Sequence, residues 1–263
     1  MVDSARQHCA VSVIGGPTTV IDIAGVRLVT DPTFDPPGDY GYLQKTEGPA
    51  VPAEALGPVD AVLLSHDLHA DNFDRAGRAF ALSCPVVVTA PTAAARIGRP
   101  AEPLALGERW LSPNGQLSVT ALPAQHGPAD GERDEDGFIN CEVIGFLLES
   151  TDQDVPRLYV SGDNASVELV QRIREQHGPI DHAILHVGAA SVPAKFGGRP
   201  LSLTPERAAA AAEVLGAHHV IAAHHDGWAH FTRGFAATEE AFDMAGIGDR
   251  LYPARPGGWC HLA

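Results

Sequence analysis

The sequence is short of basic residues, has no paired cysteine motif and carries no long uninterrupted apolar run. Lys and Arg number 18 against 33 Asp and Glu, a formal net charge of -15 over 263 residues. No stretch concentrates enough cations to neutralise a run of phosphates, so nucleic acid is a poor candidate partner, and the acidity disfavours adsorption to anionic membranes. The longest charge-free stretch, residues 79–95, is broken by Pro85 and Pro91 and is too short to span a bilayer comfortably. The opening MVDSARQ places Asp3 early and lacks a basic start followed by an apolar block, so no secretory signal is read and the cytoplasm is the expected compartment. Cys9, Cys84, Cys141 and Cys260 form no CxxC pair, which argues against a zinc ribbon or redox dithiol and reads as buried free thiols.

What is present is ample apolar material: 44% of the chain before its 27 glycines are counted, enough for a substantial core. At roughly 150 residues per typical domain, residues 1–263 are expected to form one domain. The 27 glycines and 21 prolines point to many tight turns. Residues 11–14, 19–23 and 26–30 alternate in the strand manner, with Ala24-Gly25 as a short turn, a hairpin-rich opening. Residues 40–58, rich in Gly and Pro, read as a surface loop with at most one short helical turn. Apolar runs at 61–64, 86–88, 117–122, 143–148, 158–160, 183–187 and 220–222 have the length of buried strands. Helices are expected over 166–176, closed by Gly178, from Thr204-Pro205-Glu206 to Gly216, and over 238–245. Hairpins first and strand–helix alternation later predict a mixed α/β domain with two sheets covered by helices; the pattern does not fix strand order.

The chain holds 13 histidines, more than packing requires. In LLSHDLHADNFD, residues 63–74, an apolar strand runs straight into His66, Asp67, His69, Asp71, Asn72 and Asp74. Imidazole and carboxylate are the ligand set for zinc and its neighbours, and a strand-to-loop turn can aim them at one point. A polar loop capping the next helix through Asp71 or Asn72 is the plainer reading, but a cap needs one acid and no histidine. His126, Asp163 and His224 each follow an apolar strand directly. Strand ends on one edge of a sheet lie close in space, so these groups are expected to converge. His186 and His230 are candidates to line the same cleft, whereas His8, His177, His182, His218, His219 and His261 read as structural or solvated. Gly15-Gly16 is a turn and not a phosphate-binding loop, because a strand continues after it.

An opening hairpin, Thr30-Asp31-Pro32, Ser65-His66 with nearby His and Asp, Pro123 to His126, Ser161-Gly162-Asp163 and Ala223-His224 follow one another in an order that resembles the metallo-β-lactamase superfamily. Within it the likeness is to the branch similar to L-ascorbate-6-phosphate lactonase, over about residues 11–231. The resemblance implies an αββα sandwich with a metal site in the cleft at one edge of the paired sheets. It implies that His66, His69 and His126 hold one ion and Asp71 and His224 a second, with Asp163 between the two. It also implies that Asp31 orients a ligand histidine by accepting its free N–H. Two departures from the family's His-X-His-X-Asp-His pattern stand out: Asp67 and Leu68 separate His66 from His69 where the family has one residue, and Asn72 replaces a histidine. A neutral amide is the poorer ligand, so the second site is expected to be weaker, empty or rebuilt by another group, with Asp67, Asp74 and His225 as candidates.

Three neutral imidazoles on a divalent metal leave a position for water, whose pKa the ion lowers from about 15.7 toward 7. Asp71 and Asp163 are the expected catalytic carboxylates, holding and deprotonating that water. The implied activity is hydrolysis of a lactone, other ester, amide or phosphodiester, with zinc as the expected metal, manganese or iron as alternatives, and one or two ions. Ser161 lacks the nucleophile-elbow pattern. Lys195 and Arg199, in segment 191–200, are candidates to touch an anionic substrate, and that segment and loop 127–137 are the expected pocket walls. The expected partner is a small-molecule substrate, with a homo-oligomer open. The alternative is a metal-binding or ligand-sensing protein that kept the scaffold and lost hydrolysis, motivated by Asn72 and the shifted histidine spacing.

Overall fold

The computed structural model describes residues 2–131, 140–253 and 255–262. Antiparallel strands β1 (Cys9–Gly15), β2 (Thr18–Ile23) and β3 (Val26–Thr30) open the chain. Ala24 and Gly25 join the last two with φ values of 49° and 77°, the positive pair of a two-residue hairpin turn. The loop that follows carries the short strands β4 (Gly38–Asp39) and β5 (Gln44–Lys45) and one 3-10 turn at Ala53–Ala55. Next come β6 (Ala61–Leu64), α1 (Arg75–Ser83), β7 (Val87–Thr89), α2 (Pro91–Ile97), β8 (Ala101–Pro103), β9 (Arg109–Leu111) and β10 (Leu117–Pro123). The remainder is β11 (Ile144–Ser150), β12 (Leu158–Val160), α3 (Val167–His177), β13 (His182–His186), α4 (Pro205–Leu215), β14 (His219–Ala223), α5 (Phe235–Met244) and β15 (Cys260–His261). Two main sheets result, ordered β15-β1-β2-β3-β6-β7-β8 and β14-β13-β12-β11-β10-β9.

Alternation of side chains along each strand assigns the faces. In β6, Ala61 and Leu63 enter the apolar layer shared by the sheets, while Val62 and Leu64 face away from it. In β11, Ile144, Phe146 and Leu148 enter the shared layer and Leu147 the opposite one. Ala81 of α1 and Ile97 of α2 pack on the outer face of the first sheet. Val170 and Ile173 of α3, Ala208 and Leu215 of α4 and Phe242 of α5 cover the second. This is the αββα sandwich of the metallo-β-lactamase type.

The helix signals lie where the caps are. Ser166 accepts from the Leu169 N–H and Thr204 from the Arg207 N–H, and Gly216 closes α4 at φ 72°, which satisfies otherwise orphaned backbone groups. The pattern does not announce α1 or α2, which have nine and seven residues, too few turns for a 3.6-residue period to emerge. Helix α5 begins at Phe235, earlier than the apolar pattern suggests. Among the described residues no helix is long and apolar enough to cross a membrane.

Topology sets the position of the site. Strands β12, β13 and β14 are parallel, and β10 shares their direction because it and β12 both run antiparallel to β11. Their carboxyl ends therefore lie on one edge, where α/β sheets place ligands. The first sheet is joined to that edge where the Ile144 N–H donates to the Ser65 carbonyl at 3.1 Å, just past β6. Gly162 permits the close approach: a Cβ there would meet the Ile144 carbonyl oxygen at 2.8 Å and Ser65 Cβ at 2.9 Å.

Gly188 makes the corresponding contact behind β14, since an added Cβ would lie 2.0 Å from the His224 carbonyl oxygen. Gly188→Ala is expected to cost about 1–3 kcal/mol by overpacking, read as a lowered urea midpoint with an unchanged m-value.

Candidate metal centre

Each strand end delivers a polar group to the same edge. His66 follows β6, His126 follows β10, Asp163 follows β12, His186 ends β13 and His224 follows β14. Beyond His66 the chain turns, with the N–H groups of Asn72 and Phe73 donating to the His69 carbonyl at 3.2 and 3.0 Å, which brings His69 and Asp71 back toward β6. His66 Nε2 and His126 Nε2 lie 3.1 and 2.9 Å from His69 Nδ1. Cys141 Sγ is 4.0 Å from the same nitrogen, and these four side chains place their donor atoms within 4.8 Å of one another. Asp163, His186 and His224 form a second group of the same tightness.

Hydrogen bonds behind the rings assign their tautomers. His126 Nδ1 is 2.8 Å from the Leu201 carbonyl, an acceptor only, so Nδ1 carries the proton and Nε2 turns its lone pair inward. Ser65 donates its hydroxyl to Asp31 Oδ2 at 2.8 Å, and its Oγ lies 3.0 Å from His66 Nδ1. With that hydroxyl proton committed, Oγ accepts from His66 Nδ1–H and leaves His66 Nε2 as a second inward lone pair. Lone pairs facing one another at about 3 Å repel unless a proton or cation lies between them. Tetrahedral zinc with Zn–N near 2.0–2.1 Å sets its nitrogens about 3.3–3.4 Å apart; the two separations from His69 lie within a few tenths of an ångström of that, and all three donor nitrogens fall within 4.8 Å of one another.

Asp163 stands between the groups. Its Oδ1 is 2.7 Å from His186 Nδ1 and 3.3 Å from His224 Nε2, and its Oδ2 is 3.6 Å from His126 Nε2. Asp71 Oδ2 is 2.9 Å from His230 Nε2 and 3.4 Å from His224 Nε2. Among the described residues, buried side-chain atoms without hydrogen-bond partners concentrate here: Asp163 Oδ2, His186 Nε2, both ring nitrogens of His224, and Asn72 Oδ1. Asp31 and His224 also hold positive φ values of 37° and 59°, a strained backbone that surrounding structure must enforce.

The electrostatics keep the first group neutral. Burial drives His66 down to about 3, and burial together with the neighbouring imidazoles drives His69 down to about 2. Burial would raise Asp163 and Asp71, but the surrounding histidines outweigh it and hold both carboxyls well below the usual range. Burial opposes the charged form of His224, yet Asp163 and Asp71 raise its pKa. Neutral imidazoles beside ionised carboxylates are the protonation states that cation ligands require.

The structure corrects several expectations. Asp31 does not accept directly from a ligand histidine; it acts through Ser65 and also accepts from Asn72 Nδ2 at 3.2 Å. Burial pushes its pKa up to about 7 against the hydrogen bonds from Ser65 and Asn72. Asn72 also donates to Asp163 Oδ1 at 3.3 Å. None of the three candidates to replace the missing histidine reaches the site. Asp67 forms a forked pair with Arg96. Asp74 caps α1 and pairs with buried Lys45 at 2.8 Å, and His225 packs against Phe235 with ring centroids 5.6 Å apart. His186 is the added imidazole, placed against Asp163 by the end of β13. Cys141, read as an inert thiol, borders the first group. No sequence signal reveals it, because it precedes a strand and belongs to no motif.

His69 and Asp71 open onto a cleft of about 250 Å³, also lined by Tyr42, Leu43, Lys195 and His230. Lys195 Nζ lies 3.4 Å from His69 Nε2, donates to Asn140 at 2.7 Å and sits 5.4 Å from the Tyr42 ring centroid. Segment 191–200 thus forms a wall. Arg199 pairs with Asp130 at 2.8 Å and is not among the residues lining this cleft. Part of the second expected wall, residues 132–137, lies outside the described residues.

The sequence is 28% identical to uncharacterized proteins of Mycobacterium tuberculosis and Mycobacterium bovis over 204 residues, covering 68% of this chain and 49% of theirs. The chain therefore spans about half the length of these curated relatives. An isothiocyanate hydrolase from Delia radicum gut bacteria has a similar structure, with TM-score 0.81 and 20% identity over 97% of this chain and 99% of that one. A "possible metal-dependent hydrolase" from Veillonella parvula gives TM-score 0.82 and 14% identity over 97% and 100% of the two chains. At such identities the likeness concerns the fold. Residues 26–225 match the family described as the Beta-lactamase superfamily domain, and the chain belongs to that family.

Proposed function

We propose that this chain is a metal-dependent hydrolase that directs water onto a small electrophilic substrate. The observation that carries the reading is the meeting of the His66, His69 and His126 nitrogens, two of the separations being 2.9 and 3.1 Å, beside ionised Asp163 at the base of a cleft. His66, His69 and His126 would hold a divalent ion, which would supply Lewis acidity and lower the pKa of water toward 7. Zinc suits this donor set, and manganese or iron are also compatible with imidazole and carboxylate.

The chain's own groups divide the remaining work. Asp163, bordering both histidine groups, is placed to accept a proton from water and to fix its position. Asp71, held at 2.9 Å by His230, faces the cleft and orients the same water from the other side. Lys195 supplies positive charge where negative charge develops on the substrate. Tyr42, Leu43, Val192 and Leu201 in the cleft lining offer apolar surface to a partly apolar substrate. A lactone, as in the ascorbate-6-phosphate lactonase branch, is one such electrophile, as are small esters, amides and isothiocyanates; a phosphodiester would meet Lys195 as its cationic contact in that lining. Asn72 favours the competing role of a metal-binding sensor without turnover, since it supplies an amide where family members carry a ligand.

Removal of metal with a chelator is expected to lower Tm, and zinc or manganese to restore it. Free metal at 100 times Kd contributes about 2.7 kcal/mol, and each kcal/mol moves Tm by roughly 2–4 °C in a chain of this size. His66→Ala is expected to abolish that increment in differential scanning calorimetry.

Zinc- or manganese-loaded protein offered lactones, aryl esters, small amides, isothiocyanates and phosphodiesters is expected to turn over at least one class. His126→Ala and Asp163→Ala are each expected to lower kcat/KM by about 10²–10⁴ with unchanged circular dichroism. Stoichiometric metal without turnover of any class would replace the hydrolase reading with the sensor.

A further inference from the structure

We propose that the Cys141 thiolate is a fourth ligand of the three-histidine centre, giving a nitrogen-three, sulfur-one set that selects thiophilic ions such as zinc. The proposal rests on the hydrolase reading in that both require an ion at His66, His69 and His126; with sulfur in the fourth corner, the hydrolase reading would need the centre to expand to five ligands to admit water.

Position is the first argument. His126 and Cys141 face each other as an isolated antiparallel bridge, and directly opposed residues project their side chains to the same side. The bridge therefore ties the thiol to a ring already committed inward by the Leu201 carbonyl, and Cys141 is buried, at 7% exposure. With metal–nitrogen distances of about 2.0–2.1 Å and metal–sulfur of about 2.3 Å, a tetrahedral centre places nitrogen and sulfur about 3.5–3.6 Å apart. Cys141 Sγ stands 4.0 Å from His69 Nδ1 and within 4.8 Å of the His66 and His126 donor nitrogens, so a shift of about 1 Å or less brings sulfur to a ligand position.

Surroundings are the second argument. A buried cysteine is ordinarily a small apolar core residue. Cys9 and Cys84 fit that description, each inside an apolar cluster, and Cys260 packs against one. Among the described residues, Cys141 belongs to none of the apolar clusters. Its closest polar company is instead three imidazoles, and it is a free thiol with no disulfide. The fourth corner has another nearby donor, Asp163 Oδ2, at 3.6 Å from His126 Nε2, but Asp163 Oδ1 is engaged by His186 at 2.7 Å, in the second group. Asn140, the chain neighbour of Cys141, accepts from Lys195 at 2.7 Å. Soft sulfur favours zinc or cobalt over manganese, which prefers oxygen.

Cobalt(II) titrated into the full chain after chelator treatment tests the assignment spectroscopically. The wild type is expected to develop visible d–d absorption together with a near-ultraviolet thiolate-to-cobalt charge-transfer band. Cys141→Ser is expected to keep the d–d absorption and lose the charge-transfer band, and Cys84→Ala to keep both. Visible absorption without the charge-transfer band in the wild type, or its persistence in Cys141→Ser, would overturn the thiolate ligand and leave the hydrolase reading standing. Failure to take up cobalt at all would overturn both. Should Cys141→Ser not fold, X-ray absorption of the zinc-loaded wild type decides: a sulfur shell near 2.3 Å supports the ligand, and a shell of nitrogen and oxygen alone overturns it.

Discussion

Burying imidazoles and carboxylates together, with several of their atoms unpaired, is the constraint around which this molecule is arranged. An unsatisfied buried polar group costs about 1–3 kcal/mol, and Asp163 Oδ2, His186 Nε2 and both His224 nitrogens are buried without hydrogen-bond partners. The fold opposes this cost with rigid backing. Asp31 and Ser65 brace His66 from behind, the Leu201 carbonyl braces His126, and the Gly162 approach draws both sheets together at the same edge. A cation among the donors would relieve this repulsion, because it would satisfy inward lone pairs that lack a partner among the described residues. The sandwich core is ordinary in composition; what it does for the site is to hold strand ends in fixed register.

The αββα architecture was legible because its signals are strong and local. The Ala24-Gly25 turn, the apolar run of β6 and the Thr204-Pro205…Gly216 boundaries all have single physical readings, and each appears at the expected place. Helices α1 and α2 escaped notice for lack of length, and β8, β9 and β15 are two- or three-residue strands that owe their existence to a neighbour and not to a pattern. In the site, residues following an apolar strand could be found from sequence, which is why His66, His126, Asp163 and His224 were named. Contacts made across the fold could not. Nothing local separates Asp74, which pairs with Lys45, from Asp71, which faces the cleft. Nor does anything local mark Cys141, whose position depends on its bridge to His126.

Asn72 acquires a meaning that its substitution for histidine alone does not supply. Its amide nitrogen lies 3.2 Å from Asp31 Oδ2 and 3.3 Å from Asp163 Oδ1, so one neutral donor spans the acid behind His66 and the acid between the two groups. An imidazole held here as a ligand would turn a lone pair inward and forfeit a donor to these carboxylates. His186, at the end of β13, restores an imidazole on the far side of Asp163, stacked on His224 with an interplanar angle of 4°.

The rim of the cleft comes from stretches that take no part in either sheet. Tyr42 lies between the short strands β4 and β5, Lys195 lies between β13 and α4, and the two meet with the ammonium 5.4 Å from the ring. The groups at the base, by contrast, are fixed by strand ends. On the proposed reading, selectivity and ion capture are therefore encoded in separable parts of the chain, so an evolving lineage can exchange the entrance, and with it the molecules admitted, while inheriting the buried groups unaltered.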